Sequence, residues 1–267
     1  MKNVCVLYGG KSSERDVSLK SGRFIFESLT KIGYEATLID YADLNDITKL
    51  KDFSLVFIAL HGDEGESGIL QSQMEAEGIN YTGSDFEACR NSWDKEICKN
   101  ILNKNNLPTP DFLVFKTFQE IIESQLEIEE RFHDGVFIKP CKEGSSIDII
   151  KVPNLSKFNF EDVKVNLING NRRFLVEKFI EGREFTVGFL DGHILEPLEI
   201  ITKREFYDYS AKYDDDDTQI IRADLDNNAL EDLKDIARDC FHVFEISKWG
   251  RVDILQDKER EFFCTRA

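Results

Sequence analysis

The sequence has no run approaching the roughly 20 consecutive apolar residues that cross a bilayer. Its opening, Met1-Lys2-Asn3 before the short run Val4 to Tyr8, lacks the apolar core and cleavage site of a secretory signal. A cytoplasmic protein is expected. No C-x-x-C or His-paired spacing occurs among the six cysteines (Cys5, Cys89, Cys98, Cys141, Cys240, Cys264), so they read as reduced core thiols and zinc is disfavoured. Cations are in short supply: 34 Lys+Arg against 51 Asp+Glu give a formal charge of -17, and a surface of that sign repels phosphate backbones and anionic headgroups. Nucleic acid and membrane are therefore disfavoured as partners, while a local basic pocket for one small anion stays open. Internal repeats are missing, and the one low-complexity stretch is Asp214 to Asp217. What is there, 267 residues with 41% hydrophobic content, suffices for a globular chain with a real core.

The opening reads as an open α/β domain. Val4 to Tyr8 predicts a strand ended by Gly9-Gly10, and Phe24, Ile25, Ser28, Leu29 and Ile32 recur behind it at helical spacing. Ala36 to Tyr41 and Ser54 to Leu60 predict two more strands, the second almost wholly apolar, as suits a parallel strand buried on both faces. A helix over Ile69 to Glu77 and a short strand over Ile79 to Gly83 follow. Trp93 to Lys104 predicts a helix with Asp94, Lys95, Lys99 and Lys104 on its polar sides, and Pro108-Thr109-Pro110 ends it as a linker. Strands are predicted at Phe112 to Phe115, Val136 to Lys139, Phe174 to Ile180 and Phe185 to Leu190, the last two forming a hairpin about Glu181-Gly182-Arg183, with a helix over Phe118 to Glu130. His193 to Ile201 extends this sheet, Asn227 to Phe244 predicts an amphipathic helix, and Trp249 to Leu255 a strand. Glu261 to Cys264 begins another strand that stops at once.

Several loops carry chemistry. Gly9 to Ser18 combines glycines with Glu14 at a helix mouth, where the carboxylate suits a substrate ammonium; a plain turn with Ser18 as helix cap reads as well. His61 lies just past a predicted strand end, where open sheets place ligands, among Gly62, Gly65 and Gly68, and its acidic neighbours read equally as solvated loop. Lys95 and Lys139 suit migrating phosphate charge, although Lys95 alone reads as a surface cation. The strand of Lys139 enters Gly144-Ser145-Ser146, whose amides and hydroxyls suit phosphate oxygens without being a Walker loop. Glu177 and Glu184 bracket the hairpin, suited to adenine or ribose hydrogen bonds or simply exposed. Phe206 to Tyr213 reads as a lid running into a solvated aspartate run, and Arg251 and Asp253 share one side of a strand, where a surface ion pair is the plainer reading.

In this order the segments resemble the D-alanine–D-alanine ligases of the ATP-grasp superfamily. The resemblance rests on YGGKSSERDVSLKSG, LHGDEGESG with QMEAEGINYTGS, WDKEICK, FIKPCKEGSS, VEKFIEGREFTV, EFYDYSAKY and WGRVDI, and covers residues 4 to about 255. It implies an N-terminal Rossmann-like (pre-ATP-grasp) substrate domain over 1–91, a central ATP-grasp subdomain over 92–182 and a C-terminal ATP-grasp subdomain over 183–267. It further implies that Glu14 holds the ammonium of the first D-alanine and that His61 lies near its carboxylate. Lys95 and Lys139 would bind the ATP phosphates, Ser145 the substrate network with Ser146 beside it, and Glu177, Ile180 and Glu184 the base and ribose. Lys212 and Tyr213 would close the lid, Arg251 would face the tetrahedral intermediate, and Asp253 would ligate magnesium.

The implied partners are D-alanine and ATP with two Mg²⁺ ions, Mn²⁺ being an alternative, and a second copy of the chain paired through the N-terminal domain. The family's Glu-x-Asn metal ligands, its following loop and its terminal helix are replaced by Phe262 to Ala267, so the C-terminal part is expected to be incomplete. Asp148 stands for a family glycine and Arg222 for a proline. The expected function is ATP-dependent ligation of two D-alanines through an acylphosphate for peptidoglycan. A truncated homologue that only binds nucleotide, and a ligase for D-alanine and a hydroxy acid, are the alternatives.

Overall fold

Strand β1 (Asn3–Tyr8) is the middle of a three-stranded parallel sheet, between β2 (Glu35–Asp40) and β3 (Leu55–Ile58). The computed structural model describes residues 3–144, 147–159, 163, 167, 170, 172–202 and 218–266, and these fall into two compact units. The first comprises Met1–Trp93 with Leu190–Gly192 and Phe244–Gly250; the second comprises Asp94–Phe189, His193–Val243 and Arg251–Ala267.

In the first unit the strand buried on both faces is β1, whose Val4 to Leu7 are at most 2% exposed, and not the Ser54–Leu60 run. The reason is pairing. β1 has a ladder on each side, whereas the outer side of β3 meets Tyr81 in one isolated bridge, all that forms of the strand expected over Ile79 to Gly83. Helix α1 (Arg15–Lys31) also turns differently from its apolar spacing: it buries Val17, Ser18 and Gly22 and leaves Phe24, and Ile32 at its C-cap, exposed. Gly22 decides this, because a Cβ there would stand 2.3 Å from Tyr8 Cβ, so helix and strand meet at the one residue without a side chain. Besides two 3-10 helices, Tyr41–Asp43 and Ile47–Asp52, the unit contains three short α-helices: α2 (Asp63–Glu66), α3 (Ile69–Glu77) and α4 (Phe86–Trp93). The loop after β1 is clamped by Asp40, which accepts from Arg15, Gly10 N–H and Ala42 N–H. The Arg15 guanidinium, 2.7 Å away, and the two amides hold the Asp40 carboxyl down at about 2.

The second unit contains two antiparallel sheets. Helix α5 (Lys95–Lys104) begins on Asp94, whose side chain accepts from Glu96 N–H, so the expected helix from Trp93 is interrupted by its own cap. Strands β4 (Phe112–Phe115), β5 (Val136–Pro140), β6 (Ile150–Val152) and β7 (Phe174–Lys178) pair in the order β4-β7-β5-β6. One face is apolar, with Val136, Ile138, Val152, Phe174 and Val176 packed with Phe118, Ile121 and Ile128 of α6 (Phe118–Glu123) and α7 (Gln125–Arg131). The single helix expected there is two helices meeting at Ser124.

The second sheet holds β8 (Gly182–Leu190), β9 (His193–Ile194), β10 (Leu198–Ile201), β11 (Gln219–Arg222), β12 (Trp249–Asp257) and β13 (Phe262–Arg266), ordered β11-β10-β8-β12-β13 with β9 on β8. The expected hairpin about Gly182 is thus not one, since β7 and β8 lie in different sheets. Gly182 is needed for another reason: a Cβ would fall 1.8 Å from the carbonyl oxygen of Gln256. Helix α8 (Asn227–Val243) buries Leu233, Ala237, Cys240 and Phe241. Two further expectations change. Strand β13 continues to Arg266, and Pro108-Thr109-Pro110 is no linker but a strap inside this unit: Pro108 carbonyl accepts from Cys264 N–H at 2.8 Å and Thr109 Oγ1 donates to Cys264 carbonyl at 2.7 Å.

Asp40→Ala is expected to lower stability near neutral pH by about 1–2 kcal/mol in urea unfolding. A carboxyl whose pKa is depressed stabilises above the ordinary carboxylate pKa and loses that contribution as pH falls from about 4 towards 2. The variant should therefore converge on the parent protein across that window, and a constant gap would refute the clamp.

Candidate functional site

The candidate residues fall into two clusters, one in each unit. In the first, the loop from Gly9 to Glu14 is fixed by a carboxylate from a separate loop: Glu64 accepts from Lys11 N–H at 2.5 Å and Ser12 N–H at 3.0 Å. Gly10 is required here, since a Cβ would stand 2.2 Å from Glu64 Oε2. Ser12 Oγ donates to the carbonyl of His61 at 2.8 Å and accepts from Glu14 N–H at 3.2 Å, so Glu14 and His61 are tied through one hydroxyl. Glu14 is 2% exposed at the mouth of α1. His61 is half-buried, with Nε2 3.0 Å from Ser21 Oγ and Nδ1 3.8 Å from Glu66 Oε1. One ligating atom each of Glu14, His61 and Glu66 lie within 4.8 Å of one another. Two carboxylates and an imidazole so placed can hold an ammonium and the acid group of a small amino acid. Ser18 is buried and donates to Ala59 carbonyl at 2.9 Å rather than capping α1.

In the second cluster a carboxylate lies on the face of the β4-β7-β5-β6 sheet opposite Val136, Ile138 and Val176, between Phe112 and Phe137. Glu177 of β7 is 2% exposed, far from an exposed hairpin acid, and both its oxygens are taken: Oε1 by Lys99 of α5 and Oε2 by Lys139 of β5. Burial pushes the Glu177 pKa up, but Lys139 and Lys99 outweigh it and hold the carboxyl below its usual range. Lys99 is itself 1% exposed, and burial pulls its ammonium pKa down against the attraction of Glu177. Its remaining donors go to Thr109 Oγ1 at 2.7 Å and Pro110 carbonyl at 3.1 Å. Lys95, at the start of α5, donates through Nζ to the carbonyls of Pro140 at 2.9 Å and Glu143 at 2.6 Å. Burial, reinforced by the charges of Arg266 and Lys139, lowers its pKa to about 7. Lys95 therefore meets the backbone just beyond Lys139, where β5 runs into the loop at Gly144.

Ser145, Ser146, Lys212 and Tyr213, with the lid segment and the aspartate run, lie outside the described residues. Asp148 has φ +55°, a left-handed backbone that glycine and aspartate both tolerate, and its carboxylate is neutralised by Arg172 at 2.5 Å. Ile180 is buried beyond β7, and Glu184 is half-buried on β8 opposite Ile200. Arg222 meets Glu196 at 3.0 Å on the exposed strand β11. Arg251 and Asp253 do form an ion pair, at 3.0 and 3.1 Å, and Thr186 Oγ1 donates to Asp253 at 2.9 Å. Among the described residues Asp253 is the carboxylate placed to hold a Mg²⁺ ion here; it is paired with the Arg251 guanidinium, and its register partner across β12 and β13 is Arg266.

Sequence reasoning missed Lys99, Glu64 and Ser21. Lys99 is four residues from Lys95 on one helix, hence on the same face, and that spacing was the available signal. Glu64 is one of the acidic neighbours of His61 that read as solvated loop, and only the fold brings it to the first loop.

A family model described as D-ala D-ala ligase C-terminus matches residues 101–266. The chain is 37% identical over 269 residues to a D-alanine–D-alanine ligase of Marinomonas sp., covering 97% of this chain and 83% of that protein. It is 38% identical over 263 residues to a D-alanine–D-alanine ligase of Haemophilus ducreyi, covering 98% and 85%. The structure is similar to that of a D-alanine–D-alanine ligase from Bacillus anthracis complexed with ATP, with a TM-score of 0.80, 25% identity, and coverage of 100% of this chain and 85% of the other.

Lys99→Met removes one partner of a buried ion pair and is expected to cost about 3–5 kcal/mol in denaturant unfolding. Lys51→Met, at an exposed pair with Glu77, should cost less than about 1 kcal/mol. Equal effects would show that the buried chain of charges carries no special weight.

Proposed function

We infer the function from one premise: the chain belongs to the D-alanine–D-alanine ligase family. It joins two D-alanine molecules to D-alanyl-D-alanine, a peptidoglycan building block, and cleaves ATP to ADP and phosphate as it does so. The carboxylate of one D-alanine attacks the γ-phosphorus of ATP and ADP leaves. The amine of the second, having lost a proton, attacks the acylphosphate carbonyl, and phosphate is expelled.

We assign the phosphates to Lys95 and Lys139. The observation that carries the reading is that Lys95 Nζ meets the carbonyls of Pro140 and Glu143, on the stretch that directly follows Lys139 of β5. Lys139, held by Glu177, can turn part of its charge to the phosphates without leaving the carboxylate uncompensated, because Lys99 stays. Glu14 is assigned to the ammonium of the first D-alanine, and His61, oriented by Ser21 and Glu66, to its carboxylate. Arg251 would take the oxyanion of the tetrahedral intermediate. Glu177, Ile180 and Glu184 are assigned to the base and ribose, Ser145 and Ser146 to the phosphate loop, and Lys212 and Tyr213 to the lid that keeps water from the acylphosphate. The proposed division into domains is 1–91, 92–182 and 183–267. Pairing with a second copy and a cytoplasmic location, where ATP is supplied, belong to the same reading; among the described residues no helix is long and apolar enough to cross a membrane. The nucleotide-only alternative is favoured by one observation, Arg266 opposite Asp253.

The test is ADP and dipeptide release from D-alanine and ATP, with D-lactate as competitor. Equal amounts of ADP and D-alanyl-D-alanine, unaffected by D-lactate, are expected, with Glu14→Gln raising KM for D-alanine and leaving ATP binding intact. Nucleotide binding without turnover would establish the alternative. Because Lys95 titrates at about 7, the free protein loses this cation above neutrality, and phosphate binding must restore the proton. ATP affinity should therefore fall with rising pH, by up to about tenfold per unit, with net proton uptake in calorimetry. Lys95→Met should abolish the slope.

A further inference from the structure

One side of the second sheet carries its polar candidates. Alternate residues of a strand and register partners on the next share a side, so Glu184 and Thr186 of β8 lie together with Ile200 and Leu198 of β10. Phe185 and Phe189, on the opposite side, meet the rings of Phe262 and Phe241. Strand β12 is the other neighbour of β8 and alternates in the same way: Val252 and Ile254 are buried, whereas Asp253, with Arg251 two residues before it, reaches the side of Thr186. The Asp253 carboxylate is held by two unlike donors. Its Oδ1 accepts from Thr186 Oγ1 at 2.9 Å and lies 3.0 Å from Arg251 Nε, while Oδ2 accepts from Arg251 Nη2 at 3.1 Å. The Arg251 side chain is 54% exposed on a long stem, and an ion pair so placed contributes little and opens easily. Thr186 is buried, its backbone is in register with Leu198, and its β-branched side chain turns about one stiff torsion. Arg251 is moreover assigned to the oxyanion of the intermediate, a role in which its guanidinium turns from Asp253 to the substrate. Thr186 has no share in that task and stays on Oδ1.

We propose that Thr186 is a positioning residue for the Mg²⁺ ion: its hydroxyl fixes Oδ1 of Asp253, so the carboxylate keeps its orientation when Arg251 leaves it. A ligand carboxylate with such a partner is oriented before the ion arrives, and removing the partner costs about 10–100-fold in metal affinity. The proposal rests on the ligase reading and on Asp253 as the magnesium ligand within it. Valine has the shape of threonine without the hydroxyl, so that substitution isolates the hydrogen bond.

The experiment is titration of the full chain with Mn²⁺ in the presence of ATP, read as the enhanced water proton relaxation of protein-bound Mn²⁺, beside the Mg²⁺ dependence of dipeptide formation. Thr186→Val is expected to weaken Mn²⁺ binding about tenfold and to raise the Mg²⁺ concentration for half-maximal rate by about the same factor. KM for D-alanine at saturating Mg²⁺ should stay at the parent value. Thr186→Ser, which keeps the hydroxyl, should remain within about threefold of the parent in both measurements. Thermal melts accompany each variant, and Thr186→Ala, which removes the hydroxyl without adding volume, replaces the Val variant if that is unfolded. Mn²⁺ affinity unchanged in the folded Val or Ala variant, or lost equally in the Ser variant, would overturn the proposal and leave the ligase reading standing. A rate lowered at every Mg²⁺ concentration with no shift in Mn²⁺ affinity marks a merely structural role and overturns it as well, as does a parent protein that forms dipeptide without holding Mn²⁺. A parent protein that neither holds Mn²⁺ with ATP nor forms dipeptide would overturn both.

Discussion

Glu177 lies out of water on a strand whose other face is hydrocarbon, and its charge survives there because two lysines from different elements reach it. An isolated carboxylate in that position would protonate rather than bear the desolvation. The consequence is geometric more than energetic, since buried ion pairs contribute little net stability but tolerate little displacement. Lys139 fixes β5 against β7, and Lys99 fixes α5 over both. With α5 fixed, Lys95 at its first turn is fixed too, and its ammonium meets the carbonyls of Pro140 and Glu143. One buried charge thus sets the positions of the cations assigned to phosphate.

The first unit solves a similar problem by different means. Its candidate loop carries backbone amides that lie outside any helix or strand ladder and need acceptors. Asp40 and Glu64, each from a distant part of the chain, accept those amides and fix the Gly9–Glu14 loop. In both units a carboxylate from outside the candidate segment does the ordering.

Strands were legible where an apolar run met glycine, as for Val4 to Tyr8, and the long helix Asn227 to Val243 by the helical spacing of its apolar residues. Which face a helix buries was not: in α1 the apolar spacing pointed to Phe24 and Ile32, and the close contact of Gly22 with Tyr8 overrode it. Pairing partners were equally hidden, because two consecutive strands about Gly182 look like a hairpin whether or not they share a sheet. Among candidate residues, Lys95, Lys139 and Glu14 stood out by motif, while the burial of Glu177 depends on Lys99, whose lysine side chain reads as surface until the sheet is folded beneath it. Electrostatic partners brought together from distant parts of the chain leave no periodic trace in a sequence.

Thr109 is the smallest part of this arrangement and the least replaceable. Its one hydroxyl accepts from the Lys99 ammonium and donates to the Cys264 carbonyl, so it relays the buried charge to strand β13. Valine has the same shape but can do neither, and the loss would orphan a cation and a carbonyl together. Serine alone keeps both functions. Drift at this position is thus confined to a two-letter alphabet, a far narrower choice than its place between two prolines would suggest.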